Sequence, residues 1–594
     1  MKRLLTIIVS VGTLAGCIEN RQVDFSKVQA YALEEVDKSM TLLDQLKIAD
    51  QPEKLKSTFA QARLAFKKAE PFAAYLHAEA AHRVNGPPLS VFKEDNGKVL
   101  PSVGFQALEE VIYADDEIDK KEFDFKIKIT KGYIQAIKDA MEEKPINPQR
   151  FFVPMHQQLL RIYSVGLSGF DTPGSFLGLN ESARLLESFG DLYQLSIGDT
   201  LKSIDPELHA NFLSQLQNAT EYIDENSDFE TFDRYEFGRV YLNPITESWV
   251  RIRKETQLFE DPKRFAINLD APTFFEENSF NLRYFQSSYN RNPSGEQIAL
   301  GKRLFHEINL SESGRLSCAS CHNPTNFYQD GLEKGLDKEG EQLLRNTPTI
   351  INVAFQKKFF WDGRSDNLEQ QIMGVFTNER EFDTRGHLIS DEILDDEQYQ
   401  SAFSQAYPNE KFNKTRIIRA LAAYTGTLNA LNSRFDRNMR GALDDFTEEE
   451  KRGMNLYMGK ALCATCHFVP LMNGTVPPLF GETEKEILGT PKTPKNLEVD
   501  TDEGFYWVFE ADIHKYMFKT PTVRNADKTA PYMHNGVYTT LEQVMDFYNK
   551  GGGGGMNFDL PHQTLPFDSL NLSQNEQQAV IAFMKTLTDQ PDQY

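Results

Sequence analysis

Two short stretches of this chain carry the same pattern, Cys318-Ala-Ser-Cys321-His322 and Cys463-Ala-Thr-Cys466-His467. In each, two thiols are separated by two residues, and a histidine follows the second thiol directly. This spacing lets both sulfurs bond to the two vinyl groups of one haem while the histidine binds its iron. The pattern predicts two covalently bound haem c groups, with the four cysteines as attachment residues and the two histidines as iron ligands.

Two other chemistries use paired cysteines. A C-x-x-C pair can act as a redox disulfide, and four thiols can hold one zinc ion. In this chain each pair is followed at once by histidine, and the two pairs stand far apart in the sequence. Both features favour haem attachment over a redox disulfide or a zinc site.

The composition excludes some classes of protein. The 594 residues include 64 Lys+Arg and 87 Asp+Glu, which gives a formal net charge of −23. An acidic chain without a basic run lacks the positive stripe that phosphate binding needs, so no nucleic-acid partner is expected. Five cysteines are too few for a disulfide scaffold of this size, and the hydrophobic content of 40% is typical of a globular protein.

The first residues have the pattern of an export signal. Lys2 and Arg3 precede a short apolar run, and Leu14-Ala-Gly-Cys17 resembles the lipobox of bacterial lipoproteins. We therefore expect residues 1–17 to be a lipoprotein signal, with Cys17 as the lipidated residue. The protein would then be tethered to a membrane in the periplasm or cell envelope. An ordinary secretory signal is the alternative.

The rest of the chain changes character near its middle. Residues 24–260 show helical periodicity almost throughout, which predicts an N-terminal helical bundle. Residues 263–290 form a join, after which glycine and proline become frequent. A second division is expected between residues 443 and 444, ahead of a capping-box pattern formed by Thr447 and Glu450. The run Gly551–Gly555 is not expected to form an ordinary helix or strand.

Several blocks around the two motifs resemble the bacterial di-haem cytochrome c peroxidase and MauG family. They are Gly301-Lys-Arg-Leu-Phe305, Arg345-Asn-Thr-Pro-Thr349, Phe360-Trp-Asp-Gly-Arg364, Phe518-Lys-Thr-Pro-Thr-Val-Arg-Asn525, Thr529-Ala-Pro-Tyr532 and His534-Asn-Gly536. The resemblance covers about residues 291–590. It implies a mainly α fold in which the N-terminal bundle is followed by two cytochrome-c-like domains facing each other. Residues 291–443 would hold the peroxidatic haem, and residues 444–594 the second, electron-transfer haem.

The resemblance also assigns an acid–base pocket to the first haem. The matching positions are Gln371, which would orient hydrogen peroxide, and Glu381, which would move a proton to the leaving oxygen. A solvated helix end is the alternative, because Glu381 lies in a charge cluster. Val375 stands where the family usually has proline. In ordinary members of the family, a histidine in the loop after the first motif blocks this iron. Residues 323–346 contain no histidine, so the first iron should be open, as in MauG.

The second haem takes His467 on one side, and the family register places Tyr548 on the other. MauG has tyrosine as this sixth ligand, whereas ordinary peroxidases have methionine. An oxygen donor lowers the iron reduction potential and a thioether raises it. Met533 and Met545 lie nearby and remain alternatives.

Further positions take roles from the same resemblance. Trp361 matches the tryptophan between the haems, which can relay an electron or hole. Oxygen atoms of Asn346, Thr529 and Pro531 match a calcium site between the domains. For Arg524, pairing with a haem propionate and a surface salt bridge are equally supported.

The N-terminal half offers a weaker match. Gly104-Phe-Gln-Ala-Leu-Glu109 resembles the G-x-H-x-x-E signature of imelysin-like helical domains, with Gln106 in place of the histidine. Because a strong metal ligand is lost, a structural bundle or docking surface is favoured over a metal site for residues 24–260.

Three functions remain open at this stage. The first is a MauG-like di-haem peroxidase that shares oxidising equivalents between its haems and passes them to a partner protein. The second is a plain cytochrome c peroxidase that scavenges hydrogen peroxide with electrons from a small cytochrome or cupredoxin. The third is a non-enzymatic electron-transfer lipoprotein. Gln371 and Glu381 argue against the third, and the loop without histidine argues against the usual reductive activation of the second.

Overall fold

The computed structural model of the chain describes residues 23–93, 97–114, 118–384 and 390–590. The predicted signal and Cys17 lie outside these residues. The fold is mainly α, as expected. Within the described ranges, none of the helices combines the length and apolar character that a membrane crossing requires.

The N-terminal half is a bundle of long helices with two π-helical turns, at Ile162–Gly166 and Phe237–Leu242. Its helices are α1 (Ser26–Gln45), α2 (Pro52–Leu76), α3 (Ala78–Asn85), α4 (Phe105–Tyr113), α5 (Lys120–Glu143), α6 (Pro148–Arg161), α7 (Gly178–Ser196), α8 (Gly198–Ile204), α9 (Pro206–Glu225), α10 (Arg234–Glu236), α11 (Asn243–Thr256) and α12 (Leu282–Phe285). A small antiparallel strand pair, β1 (Val91–Lys93) with β2 (Lys98–Leu100), follows α3, and its Phe92 packs against Phe509 and His514 of the second haem domain.

Shorter helices and longer loops make up the C-terminal half. The helices are α13 (Gly295–Phe305), α14 (Cys318–Cys321), α15 (Leu368–Thr377), α16 (Asp391–Leu394), α17 (Glu397–Ala406), α18 (Lys414–Thr425), α19 (Arg434–Met439), α20 (Glu448–Met458), α21 (Tyr506–Phe509), α22 (Leu541–Asn549), α23 (Gly552–Gly555) and α24 (Gln574–Thr586). Strands β3 (Lys485–Ile487) and β4 (Met517–Lys519) pair antiparallel, with Lys485 opposite Lys519.

Each haem domain is built on one close helix crossing. Gly301 on α13 meets the Ala420 carbonyl of α18, and Gly453 on α20 meets the Ala579 carbonyl of α24. A Cβ atom at either glycine would lie 1.9 Å from the facing oxygen, so only glycine allows the helices to approach this closely. The same crossing therefore recurs in the two domains, each just ahead of a haem motif.

Buried side chains form two main cores. One core, from Leu300 to Leu428, belongs to the first haem domain. The other joins the N-terminal bundle to the second haem domain, and Leu431 and Phe435 already belong to it. Buried side chains up to Leu428 thus pack in the core of the first haem domain, and those from Leu431 onward pack in the other core. This change lies ahead of the predicted division at 443/444.

Local sequence signals explain several helix ends. Thr447 and Glu450 form the expected capping box at the start of α20, and Ser573 and Glu576 form one at the start of α24. The prediction for Gly551–Gly555 was wrong in part: Gly552–Gly555 is a single helical turn, α23. A Cβ on Gly555 would lie 1.8 Å from the Lys550 carbonyl, which accounts for glycine in so tight a turn.

Candidate di-haem site

One cavity of about 770 Å³ contains both cysteine motifs in its wall. It lies between the two haem domains, and the predicted residues Trp361, Gln371, Glu381 and Tyr548 also line it. The fold therefore brings residues from many separate stretches of the C-terminal half to one cavity. A site shared by two haems requires this arrangement.

The first motif lies on the short helix α14. His322 follows the helix, and its Nδ1 donates a hydrogen bond to the Tyr328 carbonyl at 3.1 Å. This bond fixes the ring and leaves Nε2 for a metal. Burial lowers the pKa of His322, which keeps the imidazole neutral, as an iron ligand must be.

The second motif begins in a 3₁₀ turn, Cys463–Thr465. Here Nδ1 of His467 donates to the Pro521 carbonyl at 2.9 Å, and burial lowers the pKa of the ring to about 4. Both histidines are thus oriented by a backbone oxygen in the manner of a proximal haem ligand. With the cysteines lining the same cavity, the donor set fits two covalently bound haems.

The wall on the side of the first motif is formed by α15 and the turn after it. Gln371 and Val375 lie one turn apart and line the cavity, while Ile372 and Phe376 anchor the helix in the domain core. Val375 thus adds an apolar surface beside Gln371 at the position where proline is usual.

Glu381 is half-buried and lines the cavity, whereas its neighbours Glu379 and Arg380 are exposed. Its Oε2 accepts a hydrogen bond from Asn378 Nδ2 at 2.6 Å. Burial raises the pKa of Glu381 above its ordinary value of 4.5. A carboxyl group whose pKa is raised by burial accepts and returns a proton more readily than an ordinary glutamate, so the position suits a general acid–base group.

On the side of the second motif, Tyr548 and Met545 lie one turn apart on α22, and both line the cavity with Met533. Burial, together with the nearby cysteines of the second motif, raises the pKa of Tyr548. All three predicted alternatives for the sixth ligand are therefore within the same wall, and the identity of the ligand stays a prediction.

Trp361 is held between the two haem domains. Its Nε1 donates to the Asn346 carbonyl at 2.9 Å, and its own carbonyl accepts from the Lys519 amide at 2.7 Å. Trp361 is thus bonded to both domains at the cavity wall, through its indole to the first and through its main-chain carbonyl to the second.

An arginine joins the domains beside this tryptophan. Arg345 bonds Asp362 at 2.6 Å and Asp502 through two nitrogens at 2.6 and 2.9 Å. Paired, partly buried guanidinium–carboxylate contacts of this kind fix orientation as well as adding stability. They lock the segment that carries Trp361 against the second haem domain.

The residues proposed for calcium also lie on the cavity wall. Asn346, Thr529 and Pro531 all line it, and Asn346 Nδ2 donates to the Leu332 carbonyl at 2.9 Å. Their binding of calcium stays a prediction.

Arg524 differs from both expectations. It is 1% exposed and bonds Asp436 at 2.7 and 2.8 Å and the Pro470 carbonyl at 2.7 Å. It therefore forms a buried ion pair, not a surface salt bridge, and it is not among the residues that line the cavity. Both terminal nitrogens of the guanidinium already bond protein oxygens.

Sequence reasoning missed a group of charged side chains, half-buried or buried, beside the second motif. Glu486 Oε1 lies 3.4 Å from Cys466 Sγ, and burial raises the pKa values of Glu486 and Glu484. Lys519 is also buried, which lowers its pKa to about 8, and it donates to Gln356 Oε1 at 2.9 Å. The alternation of acids from Glu482 to Glu486 was the available signal.

In the N-terminal bundle, Gln106 and Glu109 share α4 and are both buried. The Glu109 carboxylate accepts from the Ser175 amide at 2.9 Å. Nearby, Arg63 bonds Glu181 at 2.9 Å and Lys67 bonds Asp171 at 2.5 Å, among further buried ion pairs. Cations thus pair with the carboxylates that neighbour Glu109, and Ser175 bonds Glu109 itself, which supports the structural interpretation. The imelysin resemblance itself stays a prediction.

Comparisons with known proteins bear on the C-terminal half. A family model described as di-haem cytochrome c peroxidase matches residues 295–444. Cytochrome-c peroxidase IdrP2 of Denitromonas iodatirespirans is 31% identical over 316 residues, which cover 50% of this chain and 83% of that protein. Methylamine utilization protein MauG of Methylorubrum extorquens is 32% identical over 297 residues, covering 50% and 79%.

Among solved structures, a MauG-like protein associated with microbial copper homeostasis is 28% identical, with a TM-score of 0.44 over 51% of this chain and 92% of that one. The sequence matches to named peroxidases span most of those proteins, and both haem motifs face one cavity in this chain. The chain therefore belongs to the di-haem cytochrome c peroxidase family and is an oxidoreductase of the cytochrome-c peroxidase type.

Proposed function

We propose that this protein is a MauG-like peroxidase in which hydrogen peroxide reacts at the first haem without prior reduction of the second. The supporting observation is the loop after the first motif. Its residues that line the cavity are Leu336, Leu343, Leu344, Arg345 and Asn346. None of these side chains is an iron ligand, so this loop leaves the side of the first haem that faces Gln371 open to peroxide.

When bound, the haems supply redox-active iron that takes two oxidising equivalents from peroxide. The protein holds the peroxide through the Gln371 amide. Glu381 accepts the proton from one peroxide oxygen and returns it to the other, so that the leaving oxygen departs as water. Trp361 shares the oxidising equivalents between the two domains.

Stopped-flow mixing of the fully oxidised protein with stoichiometric peroxide tests this proposal. We expect the Soret band of the first haem to shift at once. A Soret band that stays unchanged until one electron is supplied would mean that another group caps the first iron.

The ligand of the second haem separates two versions of this function. With Tyr548 as ligand, the second haem stores oxidising equivalents, and the equivalents go to a residue of a protein substrate. With Met545 as ligand, the protein is a plain peroxidase that uses electrons from a small cytochrome or cupredoxin. Met545 deserves this comparison because it is 3% exposed and lines the same wall as Tyr548.

We also propose export and lipid anchoring at Cys17, which would place the enzyme in the periplasm or cell envelope. The lipobox-like sequence and the thioether chemistry of haem c support this. Changing Cys17 to Ser should release the protein from the membrane fraction while both haems stay attached. Loss of haem in that variant would contradict the assignment, because the anchor and the haems use different cysteines.

Calcium between the haem domains completes the proposal, with Asn346, Thr529 and Pro531 as oxygen donors. Because Asn346 Nδ2 is bonded to Leu332, Oδ1 is the side-chain atom that would bind the ion. Removal of calcium with a chelator should slow the sharing of equivalents between haems, and added calcium should restore it. Unchanged kinetics would argue against the site.

A further inference from the structure

The two haem-attachment loops differ in what covers them. After the first motif, Asn323, Pro324 and Thr325 are exposed to solvent. After the second motif, every residue from Phe468 to Thr475 is buried. The motifs themselves have the same chemistry, so the difference arises from the surroundings of the second loop.

The N-terminal bundle contacts the chain just ahead of the second motif. The Arg234 amide donates to Asn455 Oδ1 at 2.8 Å, and Arg234 Nη1 lies where a Cβ atom on Gly459 would be only 2.8 Å away. Gly459 ends α20, and the positive guanidinium favours that carboxyl end of the helix. Any larger residue at position 459 would therefore crowd the Arg234 guanidinium.

Arg234 is itself placed by its own domain. It is fully buried, and its guanidinium donates to three backbone carbonyls at 2.8 to 3.0 Å, those of Leu167, Phe229 and Phe232. Burial lowers the pKa of Arg234 to about 10, so it remains charged at neutral pH. The Arg234 guanidinium is thus held rigidly by its own bundle and places a fixed positive charge against the end of α20.

The same bundle contacts the chain just after the second motif. Ser164 Oγ donates to the Val469 carbonyl at 2.5 Å, and the rings of Phe170 and Phe468 meet edge-to-face with centroids 5.1 Å apart. Ser164 lies in a π-helical turn, a feature that often marks a functional position. The N-terminal bundle therefore contacts the second attachment loop both before and after its two cysteines.

We propose that the N-terminal bundle is a built-in partner of the second haem domain, which closes the attachment side of the second haem against water and diffusing reactants. The second haem is then less accessible than the first to small diffusing reductants on this side. This inference rests on the proposed function, since it assumes that both haems are attached.

Hydrogen exchange of the full-length holoprotein tests directly whether the N-terminal bundle shields the second attachment loop. Amides of residues 459–473 should exchange at least about tenfold more slowly than those of residues 311–325, because local opening must first separate two domains. Equal exchange in the two loops would overturn the proposal.

A kinetic experiment tests the consequence. Dithionite, a small hydrophilic reductant, should reduce the first haem of the parent protein faster than the second. A variant with Ser164→Ala and Phe170→Ala removes one hydroxyl and one ring from the contact. In it, the second haem should be reduced roughly tenfold faster and residues 459–473 should lose protection, while the first haem keeps its rate. Phe125→Ala, at a residue 43% exposed on the same bundle, should change neither rate.

Two results would overturn the proposal. One is direct reduction of the second haem of the parent at the rate of the first. The other is a doubly substituted protein with unchanged protection and unchanged second-haem kinetics. Failure of the proposed function is separable, because it would show in the reaction of the first haem with peroxide, which neither measurement uses.

Discussion

The two haem sites begin from the same sequence pattern, yet they face different walls. His322 and His467 are both oriented by a backbone carbonyl, at 3.1 and 2.9 Å. On the side of the first motif the cavity wall holds Gln371 and Glu381, which we propose bind and protonate the reactant. Opposite the second it offers Tyr548, which can occupy the iron position. Under the proposed function, the motif attaches the cofactor, and the facing wall decides whether the iron reacts with peroxide or stores an oxidising equivalent.

The largest effect is expected where the first wall loses its acid–base group. Changing Glu381 to Gln keeps the shape and the hydrogen bonding but removes the exchangeable proton. Peroxide cleavage should slow by roughly 10²–10⁴, the usual contribution of general acid–base catalysis. Transient kinetics with peroxide measures this, and Glu379→Gln, at an exposed neighbour, serves as control. If Glu381→Gln cleaved peroxide at the rate of the parent, another group would have to be the acid–base group of the first haem.

The second wall is tested by exchanging its ligand. In Tyr548→Met, a thioether replaces an oxygen donor and stabilises ferrous iron, so the second-haem potential should rise by on the order of 0.1 V, within the ~0.8 V that axial ligands span. The first haem should still bind peroxide. Redox titration with resonance Raman decides this, with Met545→Leu as the matched control. An unchanged second-haem spectrum in Tyr548→Met would assign the ligand to Met545 or Met533 instead.

A pH profile can sharpen the comparison further. Burial raises the pKa of Glu381 above 4.5, and only the carboxylate form can accept a proton from peroxide. The peroxide reaction should therefore lose about tenfold in rate per pH unit on acidification below that raised pKa. This loss of rate on acidification should be absent in Glu381→Gln. Because the native pKa is raised, the same group favours the folded state at low pH and costs stability as the pH rises through that pKa.

The smallest effect is expected at the residue between the walls. Trp361→Phe removes the hydrogen bond to the Asn346 carbonyl, which should lower the free energy of unfolding by about 1 kcal/mol. Both haems should remain attached, but oxidising equivalents should pass between them more slowly. Denaturant titration gives the first quantity and rapid-mixing spectroscopy the second. Unaltered transfer in this variant would leave the tryptophan as a packing residue.

Much of the C-terminal half could be predicted because its signals are local. The cysteine–histidine pattern and the capping box of Thr447 with Glu450 follow from short stretches of sequence, whereas Gln371 and Glu381 were assigned from the family resemblance. The structure puts the last two on the cavity wall, as expected.

Other features depend on contacts that no short stretch records. Arg524 was expected at a propionate or at the surface, but its partner Asp436 lies on α19, far away in the chain. The bond between Ser164 and Val469 likewise joins residues in different halves, without any motif in either. The sequence therefore predicted the haem chemistry better than the docking of the N-terminal bundle.

The shared core described above has a consequence for how the chain folds. Core residues of the N-terminal bundle pack with Phe435, Val469 and Phe583, while the first haem domain lies between these stretches in the sequence. The bundle is therefore synthesised first, but part of its apolar surface stays exposed until the last third of the chain has been synthesised and can pack against it. Closing so long a loop is slow, and uncovered apolar surface favours aggregation. Newly made chains should thus depend on chaperones most strongly after the bundle is complete and before α24 is in place.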